Sequence, residues 1–255
     1  MEPFIRFATL ASGSSGNCVY IRVGEDEILI DEGRSTKYTE EALARLGSSL
    51  ERISAIFVTH EHSDHVAGLA VTAKKYGTLI YMTDGTLEAL PGLLNVVTPM
   101  PHQYEMTVGN LTVRSFPTPH DAAMSVGYVV EGGGHRFGVA TDMGFLCKEV
   151  AGALYGCDAA VIESNYDPEL LRTGPYPPAL QARIASDRGH LPNDAGGLLA
   201  AVLAHGGAKK LMLGHLSAEN NTPELAYRSA KAALDGRSLS AELLVAERSA
   251  PTILI

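Results

Sequence analysis

Only three cysteines occur in 255 residues (Cys18, Cys147 and Cys157), and none forms a CxxC pair. So odd and sparse a set excludes a disulfide framework and fits a reducing cytosol. No apolar run reaches the roughly 20 residues that span a bilayer, and the short apolar stretch from Leu198 to Leu203 reads as a buried helix. The opening residues Met1 to Arg6 lack a basic segment followed by an apolar one, so no secretion leader is expected. Positive charge is also scarce. Lys and Arg number 20 against 29 Asp and Glu, a net charge of −9 with a pI near 5.4. Such a balance speaks against broad, nonspecific attraction to nucleic acid. Like-charge blocks, low-complexity linkers, short repeats and composition breaks are all missing. With 45% hydrophobic residues, disorder is excluded, and one domain over residues 1–255 is expected.

What is present is a succession of short β-rich runs, then alternating strands and helices. Phe4–Leu10, Val19–Val23 and Ile28–Asp31, separated by turn residues, read as a small antiparallel sheet. A helix is expected from Thr39 as cap, with Glu40 and Glu41 in its first turn and Gly47 ending it. Ile53–Val58 is apolar throughout, the mark of a strand buried on both faces. It delivers residues 60–65 into a loop, and Val66–Tyr76 reads as the next helix. Further strands are expected at Thr78–Met82, Leu111–Phe116, Val126–Glu131, Arg136–Thr141, Ala159–Ile162, Lys210–Leu213 and Leu243–Ala246. Helices are expected near Pro178–Asp187, Asp194–His205 and Pro223–Leu234. Two sheets packed face to face with helices outside account for this order.

The strongest chemical signal is His60-x-His62-x-Asp64-His65, directly after a buried strand. Imidazole and carboxylate together suit Zn²⁺, Mn²⁺ or Fe²⁺ rather than Ca²⁺ or Mg²⁺. Alternate positions point the same way, so His60 and His62 can share one ion while Asp64 and His65 face a second. A helical HExxH zinc motif is excluded, because position 64 is Asp. His120, Asp142 and His215 also follow strand runs, and such ends can converge on one edge of a sheet. The Gly-rich Ser12–Asn17 stretch is no Walker loop, since no Gly-Lys-Ser/Thr follows. His102, His135 and His205 read as structural or solvated, Cys18 and Cys157 as core.

With these residues in hand, the chain resembles the metallo-β-lactamase superfamily over nearly its whole length. The resemblance implies a four-layer αββα sandwich, an α/β fold with a two-metal site at one edge. Position by position it implies His60, His62 and His120 on the first metal, Asp64, His65 and His215 on the second, Asp142 between them, and Asp31 as a structural brace. The ions implied are Zn²⁺ or Mn²⁺, ahead of Fe²⁺. Within the superfamily the chain is similar to the YycJ/WalJ-type, exonuclease-like branch. The segments carrying that similarity are Ser12–Asn17, Glu163–Asp167, Ser186–Leu191 and His215–Asn221. Tyr166, Pro192 and Glu32 depart from the branch pattern without removing a ligand.

A metal pair of this kind activates water and stabilises transition-state charge. Asp64 is expected to orient the water and His190 to assist at phosphate or leaving group. Asn17, Asn165 and Asn220 could steady the site loops or meet phosphate, although Asn beside a turn usually serves the turn itself. The function expected is therefore a metal-dependent phosphodiesterase or exonuclease on nucleic acid, DNA favoured, in the cytoplasm. Its acidic charge is offset locally by the ions and by a ring of Arg34, Lys37, Arg172, Arg183 and Arg188. A hydrolase of small phosphodiesters, thioesters or lactones is the alternative. A metal redox enzyme is disfavoured because diiron relatives place Glu at the position of His62, and a non-catalytic binder because no ligand is lost.

Overall fold

The computed structural model describes residues 3–255, so Met1 and Glu2, part of the leader expectation, lie outside the described residues. Its strands in chain order are β1 (Ile5–Ala11), β2 (Cys18–Val23), β3 (Asp26–Ile30), β4 (Ile53–Phe57), β5 (Leu79–Thr83), β6 (Val97–Met100), β7 (Glu105–Val108), β8 (Leu111–Pro117), β9 (Val126–Gly132), β10 (His135–Ala140), β11 (Ala159–Glu163), β12 (Lys210–Gly214), β13 (Glu242–Val245) and β14 (Thr252–Ile253). The helices are α1 (Thr36–Arg45), α2 (Ser63–Val66), α3 (Leu69–Tyr76), α4 (Asp84–Ala89), α5 (Lys148–Leu154), α6 (Pro168–Thr173), α7 (Pro178–Ile184), α8 (Asn193–His205) and α9 (Pro223–Asp235). Two seven-stranded sheets result, ordered β14-β1-β2-β3-β4-β5-β6 and β13-β12-β11-β10-β9-β8-β7. Among the described residues, no helix is long and apolar enough to cross a membrane.

Side-chain alternation explains the layering. In β4 and the residue beyond it, Ala55 and Phe57 join the core between the sheets, while Ile56 and Val58 join the core under α1 and α3. In β12, Met212 points to the inter-sheet core, and Leu211 and Leu213 pack towards α8 and α9. Period-2 alternation with apolar residues on both faces is what a strand needs between two covering layers. The expected sandwich is thus the observed one, with helices outside both sheets.

Two local expectations are corrected. The first helix begins at Thr36, because Ser35 caps it by accepting from the Tyr38 N–H at 3.3 Å. Thr39 lies buried inside, and Glu40 reaches across to Lys75 and the Tyr76 hydroxyl instead of marking a first turn. The second concerns Val66–Tyr76. Asp64 and His65 lie on the one-turn helix α2, and α3 begins only after Gly68. A Cβ at Gly68 would sit 2.6 Å from the Arg34 carbonyl, so the chain turns where backbone must approach backbone.

Gly33 has the same role closer to the site. Its N–H donates to the Asn17 carbonyl at 2.8 Å, and a Cβ there would overlap the Asp64 carbonyl. Gly33→Ala should therefore lose at least the roughly 1–3 kcal/mol usual for overpacking. Gly152, inside α5 with open space around it, provides the contrast: Gly152→Ala should gain about 0.5–1 kcal/mol. Urea midpoints of the two variants measure both, and equal midpoints would contradict the packing described.

Candidate metal centre

The site begins with a buried carboxylate. Asp31, just past β3, accepts the Thr59 N–H at 2.7 Å and the Thr59 hydroxyl at 2.8 Å. Its Oδ2 also accepts from His65 Nδ1 at 2.7 Å. Because β3 and β4 are parallel neighbours, their C-terminal ends lie together, and these bonds fix the segment carrying His60, His62, Asp64 and His65. The second sheet brings its own residues to the same place. Parallel β10, β11 and β12 register Ala140 beside Ile162 and Glu163 beside Gly214, so Asp142, Glu163 and His215 come off neighbouring strand ends. Asp31, Asp142 and His215 have φ of 62°, 62° and 55°. Non-glycine residues in this left-handed region cost roughly 1–3 kcal/mol each and concentrate at functional sites.

Hydrogen bonds to one ring nitrogen leave the other facing the cluster. His65 spends Nδ1 on Asp31, His120 donates Nδ1–H to the Gly189 carbonyl at 3.0 Å, and His215 donates Nδ1–H to Glu163 at 3.2 Å. Each therefore presents Nε2, the arrangement by which outer partners set a metal-binding histidine's tautomer. His120 Nε2 lies 3.3 Å from His62 Nδ1, and His65 Nε2 lies 3.3 Å from Asp142 Oδ2. His215 Nε2 is 3.5 Å from Asp64 Oδ2.

All seven residues expected as ligands are brought together. Donor atoms of His60, His62 and His120 lie within 4.8 Å of one another, as do those of His60, His65 and Asp142, and those of Asp64, His65 and His215. His60 Nε2 and Asp142 Oδ2 are buried without a hydrogen-bond partner among the described residues. A buried polar atom with nothing to bond is unfavourable, and a cation between these groups would satisfy both. The donor set fits divalent ions.

Charge is balanced inside the cluster. Burial would raise the Asp142 carboxyl, but His215, His65, His60 and His120 hold it well below its usual range. Burial pulls His65 down, yet Asp142, Asp31 and Asp64 outweigh it and raise the imidazole to about 9. His215 is likewise pulled down by burial and raised well above its ordinary value by Asp142, Asp64 and Glu163. His60, buried and next to cationic His65, is driven well down.

Glu163 and Asp121 belong to the site and were not singled out from sequence. Glu163 is fully buried, and its Oε1 accepts from His190 Nδ1 at 2.8 Å as well as from His215. The signal for it was positional: it ends a buried strand between those that deliver Asp142 and His215. Asp121 Oδ1 lies 3.4 Å from His120 Nε2, while its Oδ2 accepts from Arg183 Nε at 2.6 Å. His190 also falls in a fourth potential ligand group, with Asp142, Glu163 and His215, although its Nδ1 is already engaged. Asn17 Nδ2 reaches Asp64 Oδ2 at 3.2 Å, and Asn165 Nδ2 donates to the His215 carbonyl at 2.7 Å, so both brace ligand segments. Asn220 holds its own turn through its N–H on Ser217 Oγ, and its carbonyl accepts from the Asp167 N–H at 2.8 Å. His102 donates to the Ser125 carbonyl, and His135 and His205 lie on other surfaces.

The expected ring of cations is not found. Lys37 pairs with Glu41 and Arg172 with Glu169, both along their own helices. Arg34 stacks over Tyr38, and Arg188 donates to the His120 carbonyl. Of the five, Arg183 alone lines the cleft of ≈ 310 Å³ that holds His62, Asp64, Asp142, His190 and His215. A larger groove of ≈ 660 Å³ runs along α9 and contains none of the ligand set.

Residues 27–216 match the family model described as the beta-lactamase superfamily domain. The chain is 37% identical over 236 residues to the exodeoxyribonuclease YycJ of Bacillus anthracis, covering 91% of this chain and 89% of that one. It is 38% identical over 229 residues to the exodeoxyribonuclease WalJ of Streptococcus pneumoniae, covering 87% and 85%. Among solved structures, the metallo-β-lactamase fold protein YhfI of Bacillus subtilis superposes with a TM-score of 0.75 at 19% identity, over 99% of this chain and 100% of that one.

The electrostatics make metal binding a proton-coupled event. In metal-free protein at pH 7 His65, raised to about 9, carries a proton, and Asp142, Asp64 and Glu163 favour one on His215 by raising it well above its ordinary value. An imidazole must be neutral to ligate, so both protons should leave when ions enter. Apparent affinity should then rise with pH up to about 9, roughly tenfold per unit for each proton displaced. Titration calorimetry in buffers of different ionisation enthalpy reads the number released. A heat independent of buffer would contradict the charge state assigned to these histidines.

Proposed function

We propose, from the premise that the chain belongs to the β-lactamase superfamily and is a metal-dependent hydrolase, that its substrate is DNA, from which it removes nucleotides at a strand end. Two relatives named exodeoxyribonucleases, matching most of the chain, support the substrate class. The observation that carries the reading is the composition of the cleft: candidate ligands and His190, its ring held by buried Glu163, line one cavity. The paucity of cysteine fits work in a reducing cytoplasm.

His60, His62 and His120 would hold one divalent ion, and Asp64, His65 and His215 a second, with Asp142 serving both. Imidazole-rich donors of this kind suit Zn²⁺ or Mn²⁺. Such ions supply Lewis-acid polarisation of a phosphoryl oxygen and activation of water near neutral pH. The side chains do the rest. Asp64, 21% exposed at the cleft, orients the attacking water through its carboxylate. His190 donates Nδ1–H to Glu163, so its Nε2 is the nitrogen offered to substrate. From there it gives a proton to the departing alkoxide, while the Glu163 carboxylate stabilises the imidazolium before transfer.

Freshly reconstituted protein should contain two metal equivalents. Asp142→Ala should lose metal, whereas His190→Ala should keep both; equal loss in the two variants would overturn the division between ligands and proton donor. On end-labelled DNA, metal-loaded wild-type protein should release nucleotides progressively from an end. His190→Ala should lower turnover about 10²–10⁴-fold on DNA. The loss should be far smaller on bis(p-nitrophenyl) phosphate, whose leaving group needs little protonation. Equal losses on both substrates would remove the proton-donor role. Activity on the chromogenic ester with none on DNA or RNA would favour a small-molecule hydrolase.

A further inference from the structure

Between β11 and α8 the chain leaves the sheet, forms α6 and α7, and returns. The return point is clamped: Tyr166 bridges to Pro192, Asn165 N–H donates to the Leu191 carbonyl at 2.8 Å, and Asn193 N–H to the Tyr166 carbonyl at 2.9 Å. The excursion has a small apolar core of its own, Tyr166, Leu171 and Ile184 with Tyr176 and Leu180 packed on it, separate from the larger clusters beside the sheets. Gln181 holds the backbone at Tyr176 by donating to its carbonyl at 2.9 Å. Arg183 ties α7 to Asp121 beside the ligand histidines.

This core does not stay internal. Tyr176, Leu180 and Ile184 line the same cleft as Asp64, Asp142 and His190. Hydrolysis of a phosphodiester has no use for an aromatic and two aliphatic side chains. A cleft that combines them with carboxylates and imidazoles suits a ligand with one charged and one flat apolar part. Its ≈ 310 Å³ lies at the small end of the roughly 300–1,000 Å³ of small-molecule sites, room for about one nucleotide.

We propose that the α6–α7 excursion is a platform for the terminal nucleotide: Tyr176, backed by Leu180 and Ile184, stacks the last base of the strand while its phosphodiester lies among the candidate metal ligands. The inference rests on the nuclease reading and deepens it. An aromatic face accepts any base, because every base has a π-surface, so the platform gives end recognition without sequence preference. In a duplex the last base must first leave its partner, which is easiest when the pair is mismatched. A terminal mismatch should therefore be removed faster than a matched pair.

The test compares wild type, Tyr176→Ala and Tyr176→Phe on two DNA substrates, one with a natural terminal nucleotide and one with an abasic terminal residue. Removing the base should lower wild-type kcat/KM by about 5- to 150-fold, the span expected for one base–aromatic stack. Tyr176→Ala should fall by a similar factor on the natural end and no further on the abasic end, while Tyr176→Phe stays near wild type. Binding supplies a second readout. On metal-loaded protein, with the terminal linkage replaced by a hydrolysis-resistant analogue, a terminal 2-aminopurine should be quenched by wild type and Tyr176→Phe, and not by Tyr176→Ala. Should Tyr176→Ala fail to fold, the abasic comparison in wild type and the Tyr176→Phe quench still decide. Wild-type indifference to the missing base, equal damage by Tyr176→Ala on both ends, or absence of quenching would overturn the platform while leaving the nuclease reading intact. Failure of wild type to cleave any DNA would overturn both.

Discussion

A carboxylate taken out of water must be surrounded by donors or surrender its charge, and Asp31 meets that condition with a backbone N–H, a hydroxyl and an imidazole. Burial raises its carboxyl above the ordinary value, and the contacts with His65 and Thr59 offset that rise only in part. In satisfying Asp31, the chain fixes the end of β4 against the end of β3, sets the tautomer of His65, and turns its Nε2 towards Asp142 in the other sheet. Glu163 repeats the device there, orienting His215 and His190 together. The candidate metal centre is in this sense the inner part of a larger hydrogen-bonded assembly, in which the buried anions Asp31 and Glu163 orient the histidines.

The same assembly explains why backbone strain is tolerated where it is. Asp31, Asp142 and His215 occupy a conformation that side chains avoid, each as a strand gives way to a loop. A relaxed backbone at these points would aim the side chains elsewhere. The surrounding β-sheet, buried on both faces, supplies the rigidity that holds them.

Much of this was legible in the sequence, and the pattern of successes has a physical basis. Buried strands announce themselves by continuous apolar runs, and the residue types able to bind metal are few, so His60, His62, Asp64, His65, His120, Asp142 and His215 stood out at strand ends. Helix starts were less legible. Ser35 and Thr39 are both competent caps, and only tertiary packing, which buries Thr39, chooses between them. Asp121 carries no periodic or spacing signal, and Glu163, although it opens the Glu163–Asp167 segment, shows no ligand spacing; the meaning of both comes from neighbours distant in the chain. The arginine ring failed for the opposite reason. Lys37 and Arg172 found acids on their own helices, Arg34 a tyrosine ring and Arg188 a backbone carbonyl, and net charge says nothing about where cations point.

The division of ligands between the sheets has a thermodynamic consequence. His60, His62, Asp64 and His65 follow β4 of one sheet, whereas His120, Asp142 and His215 follow β8, β10 and β12 of the other. An ion bound by both sets is a cross-link over an interface otherwise held by apolar packing. Ligand-linked stabilisation at a free-ion level one hundred times Kd amounts to about 2.7 kcal/mol, a sizeable part of the roughly 5–15 kcal/mol that holds a protein together. Metal supply then governs more than turnover. Core substitutions between the sheets, far from any ligand, become conditional on it, tolerated when the ion is plentiful and unfolding the chain when it is scarce.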